Sequence, residues 1–276
     1  MTRKILVVGS GVWATRLVNV LSKKTDFSVS QISAREFVTD TSAQTRKLGV
    51  DIGISATTPE LQEKVAPKLM LDSKHLWLEK PVATTNESAV QLVRKLEEFE
   101  PAYSLFNFSW TFSAIWKRFL ELNQKFEDVE FIEIVRKASN HSHGYISAIE
   151  DYGSHDFALL KAWILKDKDR NINFTGETLS ENEFRLTSAN GLIHWRIEFG
   201  FSYRSMIWKI HLKNGEKTCI DFYNRKLRHQ EVEIESENFD TIDIFLETLF
   251  AREKKVMQMN HKMALWTKEM SSRLLK

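Results

Sequence analysis

Two side chains in the middle of the chain are of the types that move protons. Asp151 and His155 stand four residues apart in Ile149-Glu-Asp-Tyr-Gly-Ser-His-Asp-Phe-Ala-Leu-Leu-Lys-Ala-Trp-Ile164. On a helix beginning near Asp151 they share one face, one turn apart. The imidazole could then stand beside a substrate hydroxyl, with the carboxylate binding the substrate or tuning the ring. Histidine titrates near neutrality, which suits reversible proton transfer. The spacing equally fits a structural pair in which Asp151 caps the helix and His155 is partly buried.

A second stretch has the chemistry of anion binding. Lys4-Ile-Leu-Val-Val-Gly-Ser-Gly-Val-Trp-Ala-Thr-Arg16 passes from an apolar run of strand length, Ile5 to Val8, into a helical pattern continued by Leu17, Val20 and Leu21. Gly9 permits a tight turn, Gly11 lets backbone approach a pyrophosphate, and Ala14 lets the helix pack closely on the strand. The helix N-terminus at Val12 and Trp13 offers N–H groups and a partial positive charge to the phosphates. An ordinary strand-to-helix turn shares this outline, so the neighbouring elements decide between the two.

Phe27 to Ile32 alternates as a second strand, making a βαβ start. At its end, where an acidic residue would accept hydrogen bonds from the adenosine ribose, stand Ser33, Ala34 and Arg35. A hydroxyl and a guanidinium there favour the 2′-phosphate of NADP (NADPH) over NAD, although Glu36 could reach back. Val50-Asp-Ile-Gly-Ile-Ser-Ala-Thr-Thr-Pro59 is a third strand whose small residues at Thr57, Thr58 and Pro59 leave room for a ligand at the sheet edge. A polar helix leads to His75-Leu-Trp-Leu-Glu-Lys-Pro81, in which Glu79, Lys80 and Pro81 read locally as a turn. A helix over 86–99, closed by Pro101, and a strand over 102–108 complete an N-terminal Rossmann domain, 1–108.

The second part, 109–276, reads as an α+β domain for substrate binding and oligomerisation. Phe112 to Phe126 has helical periodicity and Val129 to Val135 alternates as a strand. Ile193 to Phe201 and Met206 to Leu212 are half-buried strands, followed by the hairpin signal Asn214-Gly215 and a returning strand over Ile220 to Tyr223. Short turns between consecutive strands imply a mostly antiparallel sheet, whose apolar face needs helices or another subunit to cover it. Two helices, marked by Ile242, Phe245, Leu246 and Leu249 and then by Met259, Met263, Trp266 and Met270, end the chain. These methionines read as core or interface filler.

The totals narrow the class. With 276 residues and a formal charge of +2, the chain has ample core-forming content and no electrostatic case for nucleic acid. No apolar run approaches the roughly 20 residues of a membrane span, and no secretory signal is evident, so a cytoplasmic location is expected. The one cysteine, Cys219, has no partner for an internal disulfide and reads as a strand packing residue. His141-Ser-His143 lacks a cysteine or carboxylate set, so no metal is expected. Neither a Gly-x-Ser-x-Gly elbow nor a P-loop is present, which removes hydrolase and kinase readings.

The glycine turn, Glu79-Lys80-Pro81 and Asp151-x-x-x-His155, in that order and followed by an antiparallel sheet, resemble the Gfo/Idh/MocA family of NAD(P)-dependent oxidoreductases over essentially the whole length. The resemblance implies that the Glu-Lys-Pro turn lies by the nicotinamide, often with a cis bond before Pro81. It implies that Lys80 helps position or protonate the substrate oxygen, and that Asp151 and His155 contact the substrate, His155 as general acid or base. Two positions depart from the family pattern: Ala158 stands where a second acidic residue often follows, and Gln62 where a histidine is usual. The expected activity is NADP(H)-dependent hydride transfer to or from a carbonyl or hydroxyl carbon of a sugar, sugar nucleotide or related polyol. Its rivals are reduction of an imine or conjugated C=C bond, as in thiazolinyl imine and biliverdin reductases, and a non-catalytic dinucleotide-binding regulator. A homodimer or homotetramer through the antiparallel sheet is also expected.

Overall fold

Near-continuous apolar runs are what strands buried on both faces require, and Ile5 to Val8, Ile52 to Ile54 and Leu76 to Leu78 meet that requirement, whereas Phe27 to Ile32 alternates. The computed structural model describes residues 2–39, 49–99, 103–138, 146–166, 172–189, 191–236 and 241–275. Strands β1 (Arg3–Val8), β2 (Phe27–Ile32), β3 (Val50–Ser55), β4 (Ser73–Leu78) and β5 (Tyr103–Phe106) form a wholly parallel sheet in the order β2-β1-β3-β4-β5. Helices α1 (Val12–Leu21), α2 (Ala34–Thr39), α3 (Pro59–Asp72) and α4 (Asn86–Glu98) alternate with them. The strand order reverses between β1 and β3, so the loops leaving these two strands diverge and open a crevice at their carboxyl ends.

The chain divides into two compact units, residues 1–107 with 245–268, and residues 108–244 with 269–276. Helices α8 (Thr241–Ala251) and α9 (Lys254–Leu274) therefore contribute 245–268 to the first unit, which differs from the single domain over 109–276 expected from the sequence. The cause is the open edge of the parallel sheet. Asn260 pairs its amide with the backbone of Phe106 in β5, accepting from N at 2.8 Å and donating to O at 3.0 Å. The buried His261 meets the Ser104 hydroxyl at 3.0 Å, and Phe245 packs on Trp77 with ring centroids 4.4 Å apart. An edge strand otherwise open to another chain is covered by the protein's own helix.

His75 at the start of β4 meets Phe250 edge-on at 5.4 Å. Burial, with Arg252 adding repulsion, lowers its imidazole to about 4 from an ordinary 6.5. The folded state therefore binds fewer protons than the unfolded state between those values, so stability falls as pH drops through that window. Thermal melts at pH 7 and pH 4.5 are expected to show this loss, reduced in His75→Phe; equal losses in both proteins would remove His75 as the cause.

The second unit carries β6 (Val129–Ala138), β7 (Thr175–Ser180), β8 (Glu183–Ser188), β9 (Gly191–Phe199), β10 (Ser205–Leu212), β11 (Lys217–Asp221), β12 (Lys226–His229) and β13 (Val232–Glu235). They form one sheet in the order β13-β12-β11-β10-β6-β9-β8-β7, antiparallel except between β6 and β9. The expected hairpin turn has Gly215 at φ +87, a conformation that favours glycine, and Leu212 N–H donates to Glu216 O at 2.9 Å. Three helices follow from the sequence less directly: α5 (Ala114–Glu121), α6 (Ala148–Asp151) and α7 (Gly153–Lys166). The helix read over 112–126 is shorter, because single 3-10 turns at Ser109–Phe112 and Phe126–Asp128 flank α5 and Asn123 turns left-handed at φ 52.

Helices α5 and α7 cover the apolar face of this sheet. Trp116 meets Trp208 at 5.7 Å and Phe157 meets Trp195 at 5.1 Å between ring centroids. The opposite face carries cross-strand ion pairs, Lys209 to Glu133 at 2.7 Å and Lys137 to Glu198 at 3.8 Å. The apolar strands are thus covered within the unit, and hydrophobic need alone gives no reason for a second subunit. Cys219 is half-buried in β11. Pro101, His141 and His143 lie outside the described residues. Among the described residues, no group of three His, Cys, Asp or Glu could hold a metal, and no helix is long and apolar enough to cross a membrane.

Candidate functional site

Gly9 closes β1 at φ +143, and a Cβ there would lie 2.2 Å from the carbonyl oxygen of Ala56. The fold itself demands this glycine. Gly11 is different: it caps α1 in ordinary extended geometry, φ -77 and ψ 175, and a Cβ on it would meet nothing within 4 Å. Any residue could adopt that backbone, so the glycine keeps open space in front of the helix. No side chain caps α1 there, and Val12 at its first position is 91% exposed. Ala14, buried, lies 3.3 Å from the position of a Gly9 Cβ and admits the close approach of helix to strand. Uncapped N–H groups facing unobstructed space fit a pyrophosphate, as a dinucleotide site requires.

At the end of β2, Ser33 and Glu36 form a reciprocal cap on α2. Glu36 N–H donates to Ser33 Oγ at 3.2 Å, while Ser33 Oγ donates to Glu36 Oε2 at 2.7 Å and Ser33 N–H at 3.2 Å. These hydrogen bonds hold the Glu36 carboxyl below its usual range. The Ser33 hydroxyl expected to meet a phosphate is thus engaged with a carboxylate. Arg35 beside it is exposed, and its guanidinium makes no ion pair among the described residues. At the end of β3 the Thr57 hydroxyl lies 3.0 Å from that of Ser55, Thr58 precedes α3 in extended geometry, and Pro59 starts that helix.

The Glu79-Lys80-Pro81 turn at the end of β4 has a cis Lys80-Pro81 bond. Glu79 is a buried hub. Its carboxylate accepts from the indole N–H of Trp13 at 2.7 Å, from that of Trp77 at 2.9 Å and from Asn107 Nδ2 at 3.0 Å. Burial pushes its carboxyl up, against the pull of these donors. Gln62, fully buried in α3, grips the same turn: Oε1 accepts from Glu79 N–H at 2.7 Å, and Nε2 donates to the carbonyls of Glu79 at 2.7 Å and Val82 at 3.0 Å. The departure from histidine at this position thus holds backbone. Sequence alone gives no sign of this hub, since two of its donors, Trp13 and Asn107, come from residues distant in the chain. Lys80 itself is half-buried.

Asp151 and His155 belong to the second unit, on two helical segments rather than one. Ser147 caps α6 with a capping box to Glu150, α6 ends at Asp151, and α7 starts at Gly153. Asp151 is therefore not an N-cap, and His155 lies in the first turn of the next helix. The residue that anchors α7 is the neighbour passed over in the sequence, Asp156. It is fully buried, accepts from Arg136 Nε of β6 at 2.6 Å and from Trp208 Nε1 of β10 at 2.8 Å. Burial pushes its carboxyl up, opposed first by the Arg136 charge. Arg136 is also buried and donates to Met206 Sδ at 3.1 Å. A charged residue at an inward strand position, Arg136, and one in an apolar helical run, Asp156, are together the signal that could have revealed the pair.

A parallel α/β unit with a glycine turn, joined to a unit built on one large, mostly antiparallel sheet, is the fold of Gfo/Idh/MocA-type oxidoreductases. Its solved neighbours include a Gfo/Idh/MocA family oxidoreductase from Vibrio cholerae, with a TM-score of 0.67 and 13% identity over 100% of both chains. GenD2 from gentamicin A biosynthesis, solved with NAD, has a TM-score of 0.73 and 14% identity over 99% of this chain and 93% of its own. Biliverdin reductase from Synechocystis sp. PCC 6803, solved with biliverdin and NADP+, has a TM-score of 0.68 and 12% identity over 99% and 98%. At the level of sequence, no family model and no curated protein matches the chain.

Proposed function

We propose that the chain is an NADP(H)-dependent oxidoreductase that transfers a hydride to or from a carbonyl or hydroxyl carbon. The observation that carries this reading is the α1 N-terminus, uncapped and kept open by Gly11, in a fold whose solved neighbours include NAD and NADP+ complexes. Gly9, Gly11, Val12, Trp13 and Ala14 would hold the pyrophosphate, Arg35 the 2′-phosphate, and the edge from Thr57 to Pro59 with Glu79, Lys80 and Pro81 the nicotinamide half. When bound, the dinucleotide supplies or accepts the hydride. Lys80 offsets the negative charge that develops on the substrate oxygen as the C–H bond forms. His155 delivers the proton that completes the alcohol, or removes it in the reverse direction, and Asp151 binds the substrate or tunes the imidazole.

The family resemblance supports a sugar, sugar nucleotide or related polyol as substrate, handled in the cytoplasm by a homodimer or homotetramer assembled through the open face of the larger sheet. A second reading, reduction of a C=N or conjugated C=C bond, is favoured by half-exposed aromatic rings in the second unit. A dinucleotide-binding regulator would bind NADPH and yield no product.

Steady-state oxidation of NADPH and NADH against a panel of carbonyl, imine and enone substrates tests the proposal. A preference for NADPH is expected. Arg35→Ala should raise the KM for NADPH by about tenfold or more, the worth of a charge-assisted hydrogen bond, and leave that for NADH nearly unchanged. Preference for NADH in the parent protein would assign the ribose to the carboxylate of Glu36.

A further inference from the structure

The second unit buries four of its tryptophans almost completely: Trp116, Trp163, Trp195 and Trp208 are each no more than 1% exposed. Several rings at one end of its sheet are not buried, among them Phe201 and the 52% exposed Tyr203, over both of which Lys137 lies. There Ala138 pairs with Phe199, Lys137 with Ser205, and Ile207 with Asp221, so β6, β9, β10 and β11 all reach that end side by side. Arg204 precedes β10 and Tyr223 follows β11, on adjoining strands, and the N–H of Phe222 donates to Met206 O at 3.0 Å to hold that register. The junction of α6 and α7, which carries Asp151 and His155, reaches the same end because Tyr152 packs against Phe199 at 5.7 Å. Trp110 packs against Tyr223 at 5.4 Å. Trp110, Tyr152 and Phe199 are half-buried, and Tyr223 is 39% exposed.

Rings that serve only the core have no reason to remain partly in water beside others that are sealed. The charge among them is specific too. Arg204 is exposed, and burial together with the Asp151 carboxylate pushes the Tyr152 phenol up against the opposing effect of Arg204. A guanidinium at the same end of the sheet as these rings suits a flat anion: its planar fork pairs with a carboxylate while the rings take the conjugated body. A polyol of equal size instead asks for a hydrogen-bonding group at nearly every carbon.

We infer that this end of the sheet, formed by Trp110, Tyr152, Phe199, Tyr223 and Arg204, binds a planar conjugated molecule bearing a carboxylate, and that this is the substrate class presented to Asp151 and His155. As a substrate assignment it rests on the second reading above. Cinnamate, its methyl ester, 3-cyclohexylpropanoate and gluconate serve as probes, titrated into the full chain and followed by ligand-observed saturation-transfer NMR. Cinnamate is expected to bind about tenfold or more tightly than each of the other three, in line with stacking and charge-assisted pairing. Arg204→Gln should erase the difference between acid and ester, and Tyr223→Ala should weaken cinnamate by about fivefold or more. Both side chains are exposed, and an unchanged melting temperature verifies that each variant is folded. The inference is overturned by absence of saturable cinnamate binding, by gluconate binding as tightly, or by an Arg204→Gln protein that still separates acid from ester. NADPH oxidation is recorded in parallel with cinnamaldehyde-type and imine analogues carrying a ring carboxylate. Selective binding with no oxidation upholds the ligand class and sinks the oxidoreductase reading instead.

Discussion

Alanine at His155 is expected to lower turnover by about 10²- to 10⁴-fold, the usual worth of a positioned general acid or base, while NADPH affinity stays within about twofold. The expectation follows from separate duties. The proposed phosphate-binding edge, Gly9, Gly11 and α1, belongs to the first unit, whereas His155 lies in the first turn of α7 in the second. Under the proposed function, removing the imidazole takes away the proton route and leaves the proposed dinucleotide contacts alone. The measurement is kcat from NADPH oxidation beside Kd from fluorescence titration. Turnover within about threefold of the parent would remove His155 from proton transfer and leave it a half-buried helix residue.

Asp156→Ala is expected to cost about 3–5 kcal/mol of stability, because it strands the Arg136 guanidinium in the core without its carboxylate. Arg136 is 5% exposed and Asp156 is 0% exposed, so neither side chain can turn to water without opening the unit. The Trp208 indole N–H would lose its acceptor as well. For a chain of this size the melting temperature should fall by roughly 6–20 °C, at about 2–4 °C per kcal/mol. Asp156→Asn, which keeps an acceptor for one donor, should lose less. A melting temperature unchanged in Asp156→Ala would mean that water or another group reaches Arg136, and that the pair does not hold α7 on the sheet.

The parallel half of the fold was legible because its signals are local. Ile5 to Val8 leads into glycines at 9 and 11, and the alternation over Phe27 to Ile32 coincides with β2. Strands β7, β12 and β13 gave no such signal: β7 is exposed at all six residues, so backbone pairing rather than a buried face holds it in the sheet. The membership of 245–268 was also out of reach. Periodicity shows that Phe245 and Leu249 are buried, not that they are buried on the first sheet rather than the second. The candidate site was legible as residue types but not as geometry. Ser147-x-x-Glu150 is a capping box readable in the sequence, and it moves the helix start to 147 and removes Asp151 as an N-cap; the break at Tyr152 that separates Asp151 from His155 is not part of that signal. Glu79 could be singled out as a charge before Lys80 and Pro81. Its burial between two indoles and an amide could not, because Trp13 and Asn107 reach it only through the fold.

The central claim is that the open α1 N-terminus holds a dinucleotide. Titration of NADPH into the purified chain by isothermal calorimetry tests it most directly, with Gly11→Val as the contrast, since a Cβ there meets nothing within 4 Å and a branched side chain would occupy the space in front of the helix. One saturable site per chain is expected, weakened by about tenfold or more in a Gly11→Val protein that melts at the parent temperature. No NADPH or NADH binding, or equal affinity in the two proteins, would contradict it.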